Sequence, residues 1–344
     1  MTRRVAVIGC GDISVVHLEA LAALDDVELV AVCDTDPHRL SAAVARTGAP
    51  GFGDHISLLD QVRPDVVHVT TPHSEHAAIA IDALDRGVHV LTEKPLAHST
   101  AAGNRMIEAA RRSTAKLAVC FQNRYNAASR RMREIIDSGE LGAVRSAAAT
   151  VMWHRTAEYY RDRPWRGTWE GSGGGLLMNQ AIHTLDLLQW LVGEVEHVEG
   201  SVSTHALADT IEVEDTAEMV LTHRGGVRSV FSATLANAVN APVTIDIVLE
   251  RGTLSLGAVL TITHDSGEVE VVREPLTATG DRAYWGASHL ALIRDFHRSL
   301  ETPEPFWIDA VEAMRTLAVI QELYDQNLPA RDAADAHHER SISS

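Results

Sequence analysis

The residue in this sequence best placed for chemistry is Lys94, which stands between Glu93 and Pro95 directly after the apolar run at residues 88–91. A lysine at the carboxyl end of a parallel strand points into the crevice where an open α/β sheet binds its ligand. Most Glu-Lys pairs are solvated surface charges. The position of Lys94, rather than its type, therefore makes it a candidate for proton transfer.

A second candidate follows the three glycines at residues 173–175. Asn179 and His183 are four residues apart in an apolar segment, 176–191, that predicts a helix, so they would share one helical face. A histidine can exchange a proton near neutral pH, although a lone helical histidine is more often structural. Lys94 and His183 together could remove a hydroxyl proton and stabilise the alkoxide that develops. Either could move the proton first.

A nucleotide-binding signal precedes both candidates. Residues 9–14 read Gly-Cys-Gly-Asp-Ile-Ser between a predicted strand and a predicted helix, with Ser14 in the place of the usual third glycine. Asp34 ends the second predicted strand, where a carboxylate accepts hydrogen bonds from ribose and repels a 2′-phosphate. NAD is therefore the expected cofactor, while Arg39 leaves NADP possible.

The elements that must position these residues differ between the two halves. Strands are predicted over 5–8, 27–33, 50–52, 65–69, 88–91 and 117–121, with helices over 13–24, 39–47, 76–86 and 100–113. This alternation predicts a doubly wound parallel sheet, a Rossmann domain.

The second half is predicted to be α+β with a large, mostly antiparallel open sheet. Helices are expected over 127–138 and 176–191, strands over 144–153, 198–204, 216–223, 227–234, 243–250, 253–256, 260–263 and 269–273, and two further helices over 288–300 and 309–327. The predicted domains are 1–122 for NAD(P) binding and 123–330 for substrate and oligomerisation, the last helices packing back on the first domain. Residues 331–344 are predicted to form a flexible tail.

Composition narrows the function further. The chain has 344 residues, 45% of them hydrophobic, and a net charge of −17. The acidic balance argues against nucleic acid or an anionic membrane as a partner. No signal peptide or membrane-spanning run is recognisable, so a cytoplasmic location is expected. The three cysteines and the scattered histidines show no metal-ligand spacing, and no metal is expected.

Together these motifs resemble the Gfo/Idh/MocA family of nicotinamide-dependent oxidoreductases, over nearly the whole chain. The resemblance rests on the fingerprint at Gly9 followed by His17, on Thr71-Pro72-His73, Glu93-Lys94-Pro95 and residues 122–125, and on Trp165-Arg166-Gly167 and residues 173–186. It implies a two-domain enzyme that binds NAD or NADP and transfers a hydride at a CH–OH group of a sugar, sugar derivative or inositol.

The resemblance also implies residue roles. Lys94 and His183 match the catalytic pair, Asn179 stands where many members have aspartate, and Pro95 matches a proline that is often cis. The expected cofactor contacts are Gly9, Gly11, Asp12, Ile13, Asp34, Arg39, Thr71, Pro72, His73, His76, Glu93, Lys94, Gln122, Trp165 and Arg166. The expected substrate contacts are Lys94, Arg124, Tyr125, Tyr160, Asn179 and His183.

Because asparagine stands at position 179 where many members have aspartate, the carboxylate that would pair with His183 is lacking at that position. This puts a relay from histidine to carboxylate in doubt. Asp186, one turn beyond His183, is the alternative carboxylate, with a structural salt bridge or cap as its favoured role. Two alternative functions stay open: a glycoside-cleaving enzyme that oxidises its substrate transiently with bound NAD, and a non-catalytic NAD sensor. A homodimer or homotetramer through the second sheet is expected.

Overall fold

The first sheet is parallel and has six strands, as the alternation of strands and helices predicts. The computed structural model describes residues 2–273 and 288–328, so the predicted tail at 331–344 lies outside the described residues. The strands are β1 Arg3–Ile8, β2 Val27–Cys33, β3 Gly51–Phe52, β4 Val66–Val69, β5 His89–Thr92 and β6 Leu117–Val119. Their order is β3-β2-β1-β4-β5-β6, the arrangement of a Rossmann dinucleotide-binding domain.

Five helices connect these strands: α1 Ser14–Ala22, α2 Pro37–Thr47, α3 His55–Val62, α4 His76–Asp85 and α5 Thr100–Arg112. Asp36 and Asp54 accept backbone hydrogen bonds at the starts of α2 and α3, the expected role of an N-cap aspartate. Helix α3 was not predicted from the sequence. Four consecutive residues of β1, 5–8, are buried, which is typical of a strand covered on both faces.

The second sheet has eight strands and is antiparallel except for one parallel pair, β7 with β10. Its strands are β7 Val144–Met152, β8 Val195–Ser203, β9 Thr216–His223, β10 Arg228–Thr234, β11 Thr244–Leu249, β12 Gly252–Leu256, β13 Leu260–His264 and β14 Val269–Val272. Gly225, Gly226 and Gly267 have positive φ in the β9–β10 and β13–β14 turns, as expected of tight hairpins. Ile245 and Ile247 are buried on one face, while Val248 is exposed on the other.

The helices of the second half are α6 Ala127–Ser138, α7 Ala157–Arg161, α8 Trp169–Ser172, α9 Ile182–Val192, α10 Ser288–Ser299 and α11 Ala310–Asn327. The single helix predicted over 176–191 instead begins with a π-helical turn, Leu177–Ala181, before α9. α11 packs against α5 of the first domain. We propose a domain boundary after residue 122, between the two sheets. No helix among the described residues is long and apolar enough to cross a membrane.

Candidate active site

The turn after β1 has the form of a phosphate-binding loop. Gly9 has φ +95°, and a Cβ there would lie 2.7 Å from the Thr70 carbonyl carbon, so only glycine fits. A Cβ on Gly11 would meet nothing within 4 Å, which leaves the backbone open to a pyrophosphate. Asp34 at the end of β2 accepts hydrogen bonds from the backbone N–H groups of Cys10 and Asp36, at 2.7 and 2.8 Å. These residues fit the nucleotide end of NAD.

One cavity of about 960 Å³ runs from this loop to the second sheet. It is lined by all the residues predicted to bind cofactor except His76, and by the predicted catalytic residues Lys94, Asn179 and His183. His76 is completely buried, with its ring nitrogens 2.9 Å from the Pro95 carbonyl oxygen and 3.1 Å from that of Thr71. It therefore ties two loops together and does not line the cavity, and its contact with the cofactor stays a prediction.

Lys94 lies between the two domains, at the end of β5. The Lys94–Pro95 peptide bond is cis, as the resemblance implied. The Lys94 ammonium donates a 2.7 Å hydrogen bond to the backbone carbonyl of Asn179. Burial lowers the pKa of Lys94 to about 8, although Glu93 opposes the shift. The side chain can therefore exist as a neutral amine near physiological pH.

His183 lies at the start of α9, with its Nε2 3.4 Å from the amide nitrogen of Gln122. Burial, together with the charge of Lys94, lowers the pKa of His183 well below its usual value. The imidazole is therefore neutral, and one of its two ring nitrogens can accept a proton.

The Asn179 side-chain amide is hydrogen-bonded to groups other than His183. It donates to Ser172 Oγ at 2.8 Å and to the Gly175 carbonyl at 3.2 Å. Asn179 contributes its carbonyl to Lys94, and this contact needs no particular side chain.

Glu93 belongs to a buried polar cluster. Its Oε1 is 3.0 Å from His17 Nε2 and 3.5 Å from His289 Nε2, and hydrogen bonding by His17 and His289 lowers the pKa of Glu93 well below its usual range. With Cys120, the donor atoms lie within 4.8 Å of one another, close enough to hold a metal ion. The sequence suggested no such group because the four residues are far apart along the chain. Both histidines approach one carboxylate oxygen, Oε1 of Glu93, which brings these donor atoms together.

Trp165 and Arg166 lie in a turn that reaches across the cavity to the phosphate-binding loop. Asp12 in that loop forms ion pairs with Arg163 at 3.0 Å and with Arg166 at 3.3 Å. The Trp165 ring stands edge-on to His73 at 4.9 Å. These contacts join the second domain to the nucleotide end of the cavity.

Arg124, Tyr125 and Tyr160 were predicted to bind substrate, and the structure places none of them on the cavity wall. Arg124 is 3% exposed and forms ion pairs with Asp186 and Glu312. The Tyr125 hydroxyl donates to Asp295, and Tyr160 is buried at 2% exposure. These side chains pack behind the cavity wall, and their contact with substrate stays a prediction that this placement does not support. Asp186 has the structural role that the sequence favoured.

Two functional residues were missed. Buried Glu214 accepts hydrogen bonds from the backbone N–H groups of Gly175 and Leu177, at 2.8 and 2.9 Å, and from the Tyr324 hydroxyl at 2.8 Å. It thereby fixes the entry to the π-helical turn. Arg155 lines the cavity just after β7. The position of Arg155 beyond a strand end was a usable signal, whereas nothing local marks Glu214.

Comparisons with known proteins agree with this geometry. The model of the oxidoreductase family with an NAD-binding Rossmann fold matches residues 3–121, and the model of the GFO/IDH/MocA C-terminal domain matches residues 129–255. The chain is 29% identical to inositol 2-dehydrogenase 2 of Saccharopolyspora erythraea, over 76% of each protein. It is 32% identical to D-glucoside 3-dehydrogenase of Escherichia coli, over 55% of this chain and 54% of that protein.

A solved structure resembles nearly the whole chain. It is the WlbA dehydrogenase of Bordetella pertussis in complex with NADH and UDP-GlcNAcA. The two chains are 33% identical, the TM-score is 0.82, and the match covers 94% of this chain and 96% of that one.

Proposed function

This chain belongs to the Gfo/Idh/MocA family of NAD-dependent oxidoreductases, which act on CH–OH groups, and from that premise we propose how its site works. The proposed reaction is hydride transfer between nicotinamide and a carbinol carbon of a sugar, sugar derivative or inositol. Lys94 and His183 handle the proton. The observation that carries the proposal is the partly buried Lys94 amine, which lies in the same cavity as the phosphate-binding loop and His183.

Lys94 is the proposed primary base. At pH 7 a group with a pKa of about 8 is about one-tenth neutral, against about one part in three thousand for an ordinary lysine. The hydrogen bond to the Asn179 carbonyl holds the amine in one place. The neutral amine takes the hydroxyl proton of the substrate, and the resulting ammonium stabilises the oxygen in the reverse direction.

His183 supplies the second proton site. Its Nε2 lies 3.4 Å from the Gln122 amide nitrogen, a long contact that a substrate hydroxyl can replace. The neutral ring therefore accepts a hydrogen bond from the substrate and orients its carbinol toward Lys94. NAD, when bound, supplies the hydride acceptor. The residues around the turn after β1 and Asp34 would hold its nucleotide half.

A cofactor-reduction screen tests this proposal. Hexoses, pentoses, inositols and methyl glycosides are offered with NAD and with NADP, and NADH formation is followed by absorbance. Stoichiometric NADH from at least one polyol is the expected result. Release of aglycone from a glycoside without net NADH would favour the glycoside-cleaving alternative. Binding of NAD with turnover of no substrate would favour the sensor.

We also propose that copies of the chain pair through the second sheet. Its outer face carries exposed valines at positions 230, 248, 269 and 271, with exposures of 42–56%. The register places Val230 beside Ala148, Ala148 beside Asp246, and Val248 beside Ser146. A face of such small side chains can be covered by an identical one. Sedimentation should show a dimer or tetramer, and a monomer at micromolar concentration would contradict the pairing.

A further inference from the structure

Two cationic groups on the cavity wall, the Lys94 ammonium and the Arg155 guanidinium, form no ion pair with residues 2–273 or 288–328. Three other arginines of the wall form ion pairs: Arg39 with Asp36, and Arg163 and Arg166 with Asp12. Lys94 has a role in proton transfer, which leaves Arg155 as a charge that the proposed reaction does not use.

Arg155 is held in one orientation. Its Nη1 donates to the His154 carbonyl at 2.7 Å and to Asn240 Oδ1 at 3.0 Å. The guanidinium carbon lies 5.0 Å from the centre of the Trp153 ring and 5.3 Å from that of Tyr159, within the range of cation–π attraction. A guanidinium fixed in this way loses little entropy when it binds a further group.

The remaining edge of the guanidinium has an unused donor, as far as residues 2–273 and 288–328 show. The Nε of Arg155 is buried and has no hydrogen-bond partner among the described residues. In Arg124 the same Nε–Nη2 edge holds both oxygens of Asp186, at 2.8 and 2.7 Å. The Nε–Nη2 edge of Arg155 therefore has the same donor geometry as the Arg124 edge that pairs with a carboxylate. A buried donor without a hydrogen-bond partner costs free energy until a ligand pairs with it.

A short chain of contacts connects Arg155 to the catalytic lysine. The Tyr159 hydroxyl accepts from the Gln180 amide at 3.2 Å. Gln180 follows Asn179, whose carbonyl holds Lys94. On the other side of Tyr159, the guanidinium of Arg166 lies 4.5 Å from the ring. Arg166 pairs with the phosphate-binding loop, so Tyr159 separates the nucleotide end from Arg155.

We propose that the substrate is a sugar acid, whose carboxylate pairs with the Nε–Nη2 edge of Arg155 while a carbinol carbon is presented to Lys94 and His183. This inference rests on the proposed function and names its substrate class. The net charge of −17 would repel an anion at long range, so selectivity for an acid must come from this local, partly desolvated cation.

The test compares matched substrates. Glucose with glucuronate, galactose with galacturonate, and glucose 6-phosphate are oxidised by the full-length enzyme with NAD. The variants are Arg155→Gln, which lacks the charge, and Arg155→Lys, which keeps the charge but lacks the planar edge. Arg145→Gln is the matched control, because Arg145 is exposed on the second sheet and pairs with Glu250. Thermal unfolding checks that each variant is folded.

For the unmodified enzyme, kcat/KM should be about 10- to 100-fold higher for an acid than for its neutral partner, the range of one charge-assisted contact. Arg155→Gln should reduce this ratio to about one, Arg155→Lys should give an intermediate ratio, and Arg145→Gln should leave it unchanged. An equal ratio in Arg155→Gln and the unmodified enzyme would overturn the inference. Preference for the sugar phosphate, or for neutral sugars, would also overturn it while leaving the proposed function standing. Turnover of no substrate at all would remove the proposed function as well.

Discussion

The buried ion pair between Arg124 and Asp186 separates a structural role from the substrate-binding role predicted for Arg124. Both side chains are at most 3% exposed, and Asp186 receives two hydrogen bonds of 2.7 and 2.8 Å. Asp186→Leu leaves the arginine with Glu312 alone, which is 20% exposed. Breaking a buried pair by removing one partner costs about 3–5 kcal/mol.

This cost converts to a measurable shift in melting temperature. For 344 residues the unfolding entropy is about 0.7 kcal/mol/K, at about 2.1 cal/mol/K per residue. Asp186→Leu should therefore lower Tm by about 4–7 °C in a thermal scan. The double variant Arg124→Met/Asp186→Leu should recover at least half of this loss, because no charge is then left unpaired. A double variant as unstable as Asp186→Leu, or a single variant with unchanged Tm and a greatly raised substrate KM, would refute the structural role.

Two further predictions concern the loops. Gly173→Ala should destabilise the fold by more than about 4 kcal/mol, because its Cβ would lie 1.9 Å from the His98 carbonyl oxygen at φ +75°. Gly139→Ala, at φ +68° with nothing within 4 Å, should cost only about 1 kcal/mol, and equal Tm losses would contradict the steric argument. Asp34→Asn should raise the NADP/NAD ratio of kcat/KM by at least about tenfold, since it removes the charge that repels a 2′-phosphate; an unchanged ratio in steady-state kinetics would contradict that role.

The sequence was most informative where the signal is local. The parallel sheet follows from apolar runs that alternate with helices, and β2 is found at the predicted residues, Val27–Cys33. The cavity-lining positions of Lys94 and His183 follow from their places after a strand and after a glycine cluster. In each case a short stretch of chain determines where the residue lies.

The features that could not be predicted from the sequence depend on contacts between residues far apart in the chain. Arg124 faces Asp186 rather than the cavity, and these two residues are 62 positions apart in the chain. Packing between such distant residues decides the orientation. The π-helical turn forms where Glu214 holds Gly175 and Leu177 from 37 or more positions away. No periodicity within residues 176–191 shows such a clamp, so the sequence could not reveal that the Asn179 amide bonds to Ser172 and Gly175.

The pH dependence of kcat/KM for oxidation tests the central claim, that Lys94 is the base. The neutral amine is the active form, so log kcat/KM should rise with unit slope and level off above a pH of about 8, the pKa of Lys94. His183→Asn should lower the rate but keep this rise, because the imidazole is already neutral. Lys94→Arg should lower kcat/KM at least about 100-fold and abolish the rise, while NAD still binds. The same rise toward pH 8 in Lys94→Arg would contradict the assignment.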